Sequence, residues 1–141
     1  MWANILEDKE FLADFIAKNR QVLAKHCTIL RVFLDRHGIP YYTNVYAGVF
    51  VWVDLRRYLY GESFGTVNSP ETTSSTTNIH QDREMMFFKY CLASGIAISP
   101  GSSFSTEELG WFRLSFAVEE QALHIGLERL LQCLERFKIE Y

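Results

Sequence analysis

No run of apolar residues in this sequence is long. The most apolar stretches, such as AGVFVWV at residues 47–53, fall far short of the roughly 20 residues a membrane-spanning helix requires, so no membrane segment is expected. Positive charge is scarce as well. The 14 Lys and Arg against 17 Asp and Glu leave a formal net charge of −3 and a pI near 5.8. Without a basic stripe to neutralise a run of phosphates, nucleic acid is not an expected partner. Cysteine is sparse and odd in number: Cys27, Cys91 and Cys133 are widely spaced and show no C-x-x-C pattern, which argues against a disulfide framework and for buried, reduced thiols. His26, His37, His80 and His124 are equally scattered, and no metal site follows from them. The G-x-x-x-x-G-K-[ST] and G-x-G-x-x-G signatures of nucleotide binding are missing, as is a serine nucleophile elbow. The opening MWANILEDKEFLADF carries acids early and lacks the basic-then-apolar order of a secretory signal; a cytoplasmic protein is expected.

What is present is enough for one core. With 141 residues, 48% of them apolar, the chain reads as a single domain over 1–141. From about residue 8 to Arg36 the apolar positions Leu12, Phe15, Ile16, Val22, Leu23, Ile29, Leu30, Phe33 and Leu34 recur with a helical period. Gly38 and Pro40 stop that helix in the usual order. Roughly 30 residues at about 1.5 Å each make a rod about 45 Å long, more than a domain of this size needs. Its first half is therefore expected to project beyond the core.

Two extended segments follow, IPYYTNV and YAGVFVWVDL, rich in β-branched and aromatic residues, and LRRYLY suggests a short helical turn. Residues 61–80 contain nine Ser or Thr without apolar periodicity, the composition of a mobile loop. A helix over QDREMMFFKYCLASG, capped near Asn78 and stopped by Gly95, leads to a strand IAIS, the turn PGSSF, the polar loop STEEL and a strand GWFRLSFA. A last helix runs from about Glu119 to Phe137, with Leu123, Leu127, Leu130, Leu131 and Leu134 on its apolar side. The expected fold class is α/β: a two-layer sandwich of a small, mainly antiparallel sheet with helices on one face and a long N-terminal helix.

Within GWFRLSF one arginine interrupts a buried strand. Side chains alternate along a strand, so Phe112, Leu114 and Phe116 share the core face while Trp111, Arg113 and Ser115 share the other. A guanidinium on a rigid strand presents a fork of donors suited to a carboxylate or phosphate. The plainer alternative is a surface arginine stacked on Trp111 or paired with an acid. In SPGSSF, Ser102 and Ser103 offer hydroxyls and amides that can meet an anion at a strand end, or simply form a turn.

Taken in order, the segment NRQVLAKHCTILRVFLDRHGIPYYTNVYAGVFVWVDL, then LASGIAISPGSSF, then GWFRLSFA followed by ALHIGLERLLQCL resemble the C-terminal small domain of the class I and II aminotransferases. The SPGSSF and GWFR pairing is closest to the 1-aminocyclopropane-1-carboxylate synthases. The resemblance implies that Arg113 is the residue that grips the substrate's α-carboxylate against pyridoxal phosphate, with Trp111, Ser102, Ser103 and Ser115 as possible pocket neighbours. It implies that the first helix joins a small domain to a large one. The family attaches its cofactor through a lysine in an SxSKxxG-like segment, which this sequence lacks; Lys9, Lys18, Lys25, Lys89 and Lys138 all fall in helical stretches. The chain alone is therefore expected to bind no cofactor and to run no transamination.

Two functions remain open at this stage. One is a stand-alone or truncated small domain that needs a large-domain partner or self-association, with an exposed apolar surface along residues 2–16 as its docking face. The other is a free-standing domain that binds a carboxylate-bearing metabolite and isomerises, cyclises or condenses it without a cofactor, with acid or base help from His80, Tyr42 or Glu107.

Overall fold

The computed structural model describes residues 7–44, 47–61, 74–106 and 108–140. Helix α1 spans Lys9–Arg36. Asp8 caps it, its carboxylate accepting from the Phe11 amide at 3.0 Å, which satisfies one of the otherwise unpaired first-turn N–H groups. At the other end Gly38 adopts φ +58°, and the Gly38 and Ile39 amides close back on the carbonyls of Asp35 and Leu34. The helix is amphipathic only where it has something to cover. Leu30 and Leu34 are fully buried, whereas Phe11, Phe15, Ile16 and Val22 stay half exposed. The first half of α1 thus extends past the core, as its length requires.

Strand β1 (Phe50–Asp54) and the short helix α2 (Arg56–Tyr60) precede helix α3 (Ser74–Ala93). Strand β2 is only Ser99–Pro100. It runs into a 3-10 turn over Gly101–Phe104, followed by β3 (Trp111–Ser115) and helix α4 (Glu120–Glu140). The sheet order is β1-β3-β2, antiparallel throughout, so the strand carrying Arg113 is central.

One face of this sheet, with Val51, Val53, Phe112 and Leu114, is buried against Leu30 and Leu34 of α1, Phe87 and Cys91 of α3, and Leu123, Leu127, Leu130, Leu134 and Phe137 of α4. Phe87 meets Phe112 and Phe137 edge to face at 5.5 and 5.1 Å between ring centres, a favoured aromatic geometry. His26 is buried beneath the start of α4, with Nδ1 3.1 Å from the Phe116 carbonyl. A carbonyl only accepts, so Nδ1 carries the proton.

Three expectations are corrected in detail. The segment IPYYTNV contributes a single bridge, Tyr41 to Val53, rather than a strand; Pro40 offers only its carbonyl, which accepts from Asp54, and residues 45–46 lie outside the described region. Of IAIS only Ser99 enters the sheet, joined by Pro100; the strand goes no further because Pro100 has no amide to donate and the chain turns at Gly101. Helix α3 begins at Ser74, ahead of the expected cap at Asn78, so residues 74–80 of the expected 61–80 loop are helical; residues 62–73 lie outside the described region.

All three cysteines are free. Cys91 and Cys133 are buried and Cys27 half-buried, and burial, with Cys133 alongside, pushes the Cys91 thiol well above its ordinary range. A thiol reagent is expected to modify Cys27 in the native protein and to reach Cys91 and Cys133 only on unfolding. Equal labelling rates at all three, followed by mass spectrometry of the peptides, would contradict this packing.

Candidate functional site: an arginine held between aromatic rings

The outer face of the sheet is set by register. Trp52 and Ser99 flank Arg113 on the two sides, Phe50 faces Ser115, and Asp54 faces Trp111. Residues paired directly across antiparallel strands point to the same face, so these side chains share the surface opposite the helices. Phe104, the last residue of the 3-10 turn, reaches the same place and meets Trp52 edge to face at 5.6 Å.

The Arg113 guanidinium carbon lies 4.2 Å from the centre of the Phe50 ring and 4.0 Å from that of Phe104. Both distances are well inside cation–π range, and two rings fix the plane of the guanidinium. Among the described residues Arg113 makes no hydrogen bond and no ion pair. Its faces are occupied while its edge, with five N–H donors, stays unused. A guanidinium edge of this kind can pair with a planar anion.

The neighbouring arginine shows the opposite arrangement. Arg56 makes a bidentate pair with Asp54, Nε to Oδ1 at 2.9 Å and Nη2 to Oδ2 at 2.6 Å, and reaches Glu108 through Nη1 at 2.9 Å. Hydrogen bonding to Asp54 raises its pKa further, against the lowering effect of burial. Trp111 belongs to this network. Its Nε1 donates to Glu108 at 3.0 Å, and its ring lies under Arg56, with the guanidinium 5.5 Å from the ring centre. Trp111 therefore shares a face with Arg113 but stacks on a different arginine.

The serines divide. Ser102 uses its backbone amide to donate to Glu84; Ser103 is exposed; Ser115 is half-buried at the end of β3. None hydrogen-bonds to Arg113. His80 packs on Tyr60 at 4.4 Å, and burial, with Arg83 nearby, lowers its pKa. Tyr42 is half exposed beside β1. Glu107 lies outside the described residues. Among the described residues no three of His, Cys, Asp or Glu gather as a metal site, and no helix is long and apolar enough to cross a membrane.

A buried carboxylate supports the arrangement. Glu84 of α3 is fully buried. Its Oε1 accepts from the Ser102 amide at 3.1 Å and its Oε2 from the Gly110 amide at 2.6 Å. Those two amides bracket the loop between the 3-10 turn and β3. Glu84 thus fixes the segment that carries Phe104 relative to the strand that carries Arg113.

The sequence profile described as aminotransferase class I and II matches residues 1–130. The chain belongs to this family. Among curated relatives, this aminotransferase-family chain is 31% identical over 134 residues to 1-aminocyclopropane-1-carboxylate synthase-like protein 1 of Bos taurus, covering 94% of this chain and 23% of that protein. It is 33% identical over 135 residues to 1-aminocyclopropane-1-carboxylate synthase CMW33 of Cucurbita maxima, covering 94% and 24%. The chain spans about a quarter of the length of these relatives, in their C-terminal region. The solved aromatic aminotransferase from Pyrococcus horikoshii OT3 superposes with a TM-score of 0.66 at 17% identity, over 97% of this chain and 30% of that one; it establishes the shared fold.

The aminotransferase family is pyridoxal-phosphate dependent. The residues described here do not fit that group by themselves. Lys9, Lys18 and Lys25 stand on α1, Lys89 on α3 and Lys138 on α4, so no lysine shares the sheet face with Arg113. Lys18 pairs with Asp14 and Lys25 with Glu120.

Proposed function

We propose that this chain supplies the carboxylate-gripping part of an aminotransferase-type site, with Arg113 as the residue that binds and orients the substrate's carboxylate. The observation that carries this reading is the guanidinium clamped between Phe50 and Phe104 with its donor edge unpaired among the described residues. A carboxylate presents two oxygens in one plane and pairs with such an edge bidentately. The aromatic rings lower local hydration and hold the fork at a fixed angle, so less rotamer entropy is lost on binding. The lysine and other groups that hold the cofactor come, in this reading, from outside these 141 residues. The exposed apolar residues on the first half of α1, Phe11, Phe15 and Ile16, are the surface against which that cofactor-bearing partner packs. Arg113 then binds and orients, and the electron sink belongs to the cofactor.

The test is thermal unfolding of this chain with a panel of amino acids and simple carboxylates. Ligand at about a hundred times its dissociation constant stabilises the native state by about 2.7 kcal/mol. The expected result is a rise in midpoint with at least one carboxylate, abolished in Arg113→Ala and strongly reduced in Arg113→Lys, which keeps the charge but loses the fork. Without ligand, Arg113→Ala is expected to cost only about 1–2 kcal/mol, from the two ring contacts. A midpoint shift that persists in Arg113→Ala would reject the assignment.

A further inference from the structure

On the helix layer, across the sheet from Arg113, α3 and α4 enclose an open depression of about 480 Å³ between the end of one helix and the middle of the other. Arg129, Gln132 and Arg136 line it from α4, and Tyr90, Ser94 and Gly95 line it from α3 and the turn that follows. Positions 129, 132 and 136 are related by i, i+3, i+7, so the three side chains stand in one row on the helix. Every polar side chain in the row and opposite it is a donor or a neutral amide or hydroxyl. Among the described residues no Asp or Glu lines the depression, although acids outnumber bases in the chain by 17 to 14.

Neither arginine is engaged elsewhere. Among the described residues Arg129 and Arg136 make no ion pair, hydrogen bond or ring contact, although Glu128 and Glu135 adjoin them on α4. The carbonyls at the end of α3 do not occupy them either. Those of Tyr90, Cys91 and Leu92 already accept from the amides of Ser94, Ile96 and Gly95. The Arg129 guanidinium nevertheless lies directly over the turn, its Nη1 3.1 Å from where a Cβ on Gly95 would sit. It is drawn over the depression without a partner inside it.

We propose that this depression is a second anion site, separate from the carboxylate site at Arg113, and that it takes a small polyanion with two phosphate groups. Two turns of helix separate the arginine backbones by about 10 Å, and both side chains are long enough to reach inward toward one ligand. Two linked phosphates let each fork address its own group, with Gln132 between them and the Tyr90 and Ser94 hydroxyls opposite. Arginine suits this role because its planar fork matches phosphate oxygens bidentately.

The probe is inorganic pyrophosphate, titrated calorimetrically into the 141-residue chain at low ionic strength, where exposed charges are least screened. Saturable binding is expected, weakened at least tenfold in the double variant Arg129→Gln/Arg136→Gln and unchanged in Arg113→Ala. Sulfate, with one anionic group, is expected to bind at least tenfold more weakly than pyrophosphate. The control Arg20→Gln/Arg36→Gln removes the same charge from exposed positions of α1 and is expected to retain wild-type affinity. Circular dichroism checks that the substituted chains keep the fold. Absence of saturable binding, equal weakening in the control pair, undiminished binding in the 129/136 pair, or sulfate binding as tight as pyrophosphate would each overturn the proposal.

Discussion

Glu84→Ala is expected to remove about 3–5 kcal/mol of stability, and Glu84→Gln nearly as much. The reason is the number of donors facing this side chain. Two backbone amides, those of Ser102 and Gly110, point at the two carboxylate oxygens, in a site with no solvent access to Glu84. A hydrogen bond to a charged group contributes about 1.5–3 kcal/mol, and a buried donor left without an acceptor costs about 1–3 kcal/mol. Alanine leaves both amides unsatisfied. Glutamine offers one oxygen, so its NH2 group must face the other amide, donor against donor. A chain of this length has a total stability on the order of 10 kcal/mol, so either change should lower the unfolding midpoint by about 10 °C or more. Chemical denaturation of the two variants checks this. A Glu84→Gln protein within about 0.5 kcal/mol of wild type, the usual range for a surface change, would mean that the two amides do not depend on the carboxylate. Because Glu84 ties the 3-10 turn to the start of β3, both variants should also weaken any ligand held by Arg113.

Glu84 shows where a linear reading stops. It lies on the same side of α3 as Phe87 and Cys91, at i, i+3 and i+7, all fully buried. A carboxylate in an apolar stripe normally signals the edge of the stripe, since burying a charge without partners is costly. Its partners are 18 and 26 residues away along the chain, and no local pattern reveals them. The same holds for the aromatic clamp. Strand alternation was sufficient to put Arg113 on the outer face, because the period of two is local. That Phe50 and Phe104 close on it follows from the β1–β3 register and from the turn after Pro100, both tertiary facts. Trp111 was legible as a neighbour on the same face, but its indole is taken by Glu108 and Arg56.

Helices were the more readable part for a related reason. The period of α1 and its stop at Gly38 and Pro40 are written within a few residues, as is the apolar row of α4. The strands were overread where propensity outran pairing. IPYYTNV has the residue types of a strand but joins β1 by one bridge, and β propensity is largely a statement about neighbours. The family resemblance rested on several ordered segments rather than on any one pattern, and the profile match covers residues 1–130.

Gly110→Ala is expected to be comparably damaging, at about 3–5 kcal/mol, and two independent costs combine in it. Gly110 adopts φ +87°, where an L side chain is strained by about 1–3 kcal/mol. A Cβ there would also fall 2.6 Å from Arg56 Cγ and 2.9 Å from Tyr60 Cε2, and overpacking of this kind costs about 1–3 kcal/mol more. Relief by backbone movement is blocked on both sides: the Gly110 amide is held by Glu84 and its carbonyl accepts from Leu55 at 3.0 Å. Gly61 separates the two costs. It has nearly the same φ, +86°, with nothing among the described residues within 4 Å of a built Cβ, so Gly61→Ala carries the backbone strain without the clash with Arg56 and Tyr60 and should cost about 1–3 kcal/mol. Equal destabilisation of the two variants in urea would show that Arg56 and Tyr60 yield freely and that packing around Gly110 is looser than described. A larger loss at Gly110, with weaker carboxylate binding, would tie the position of β3, and so of Arg113, to the close approach of α2.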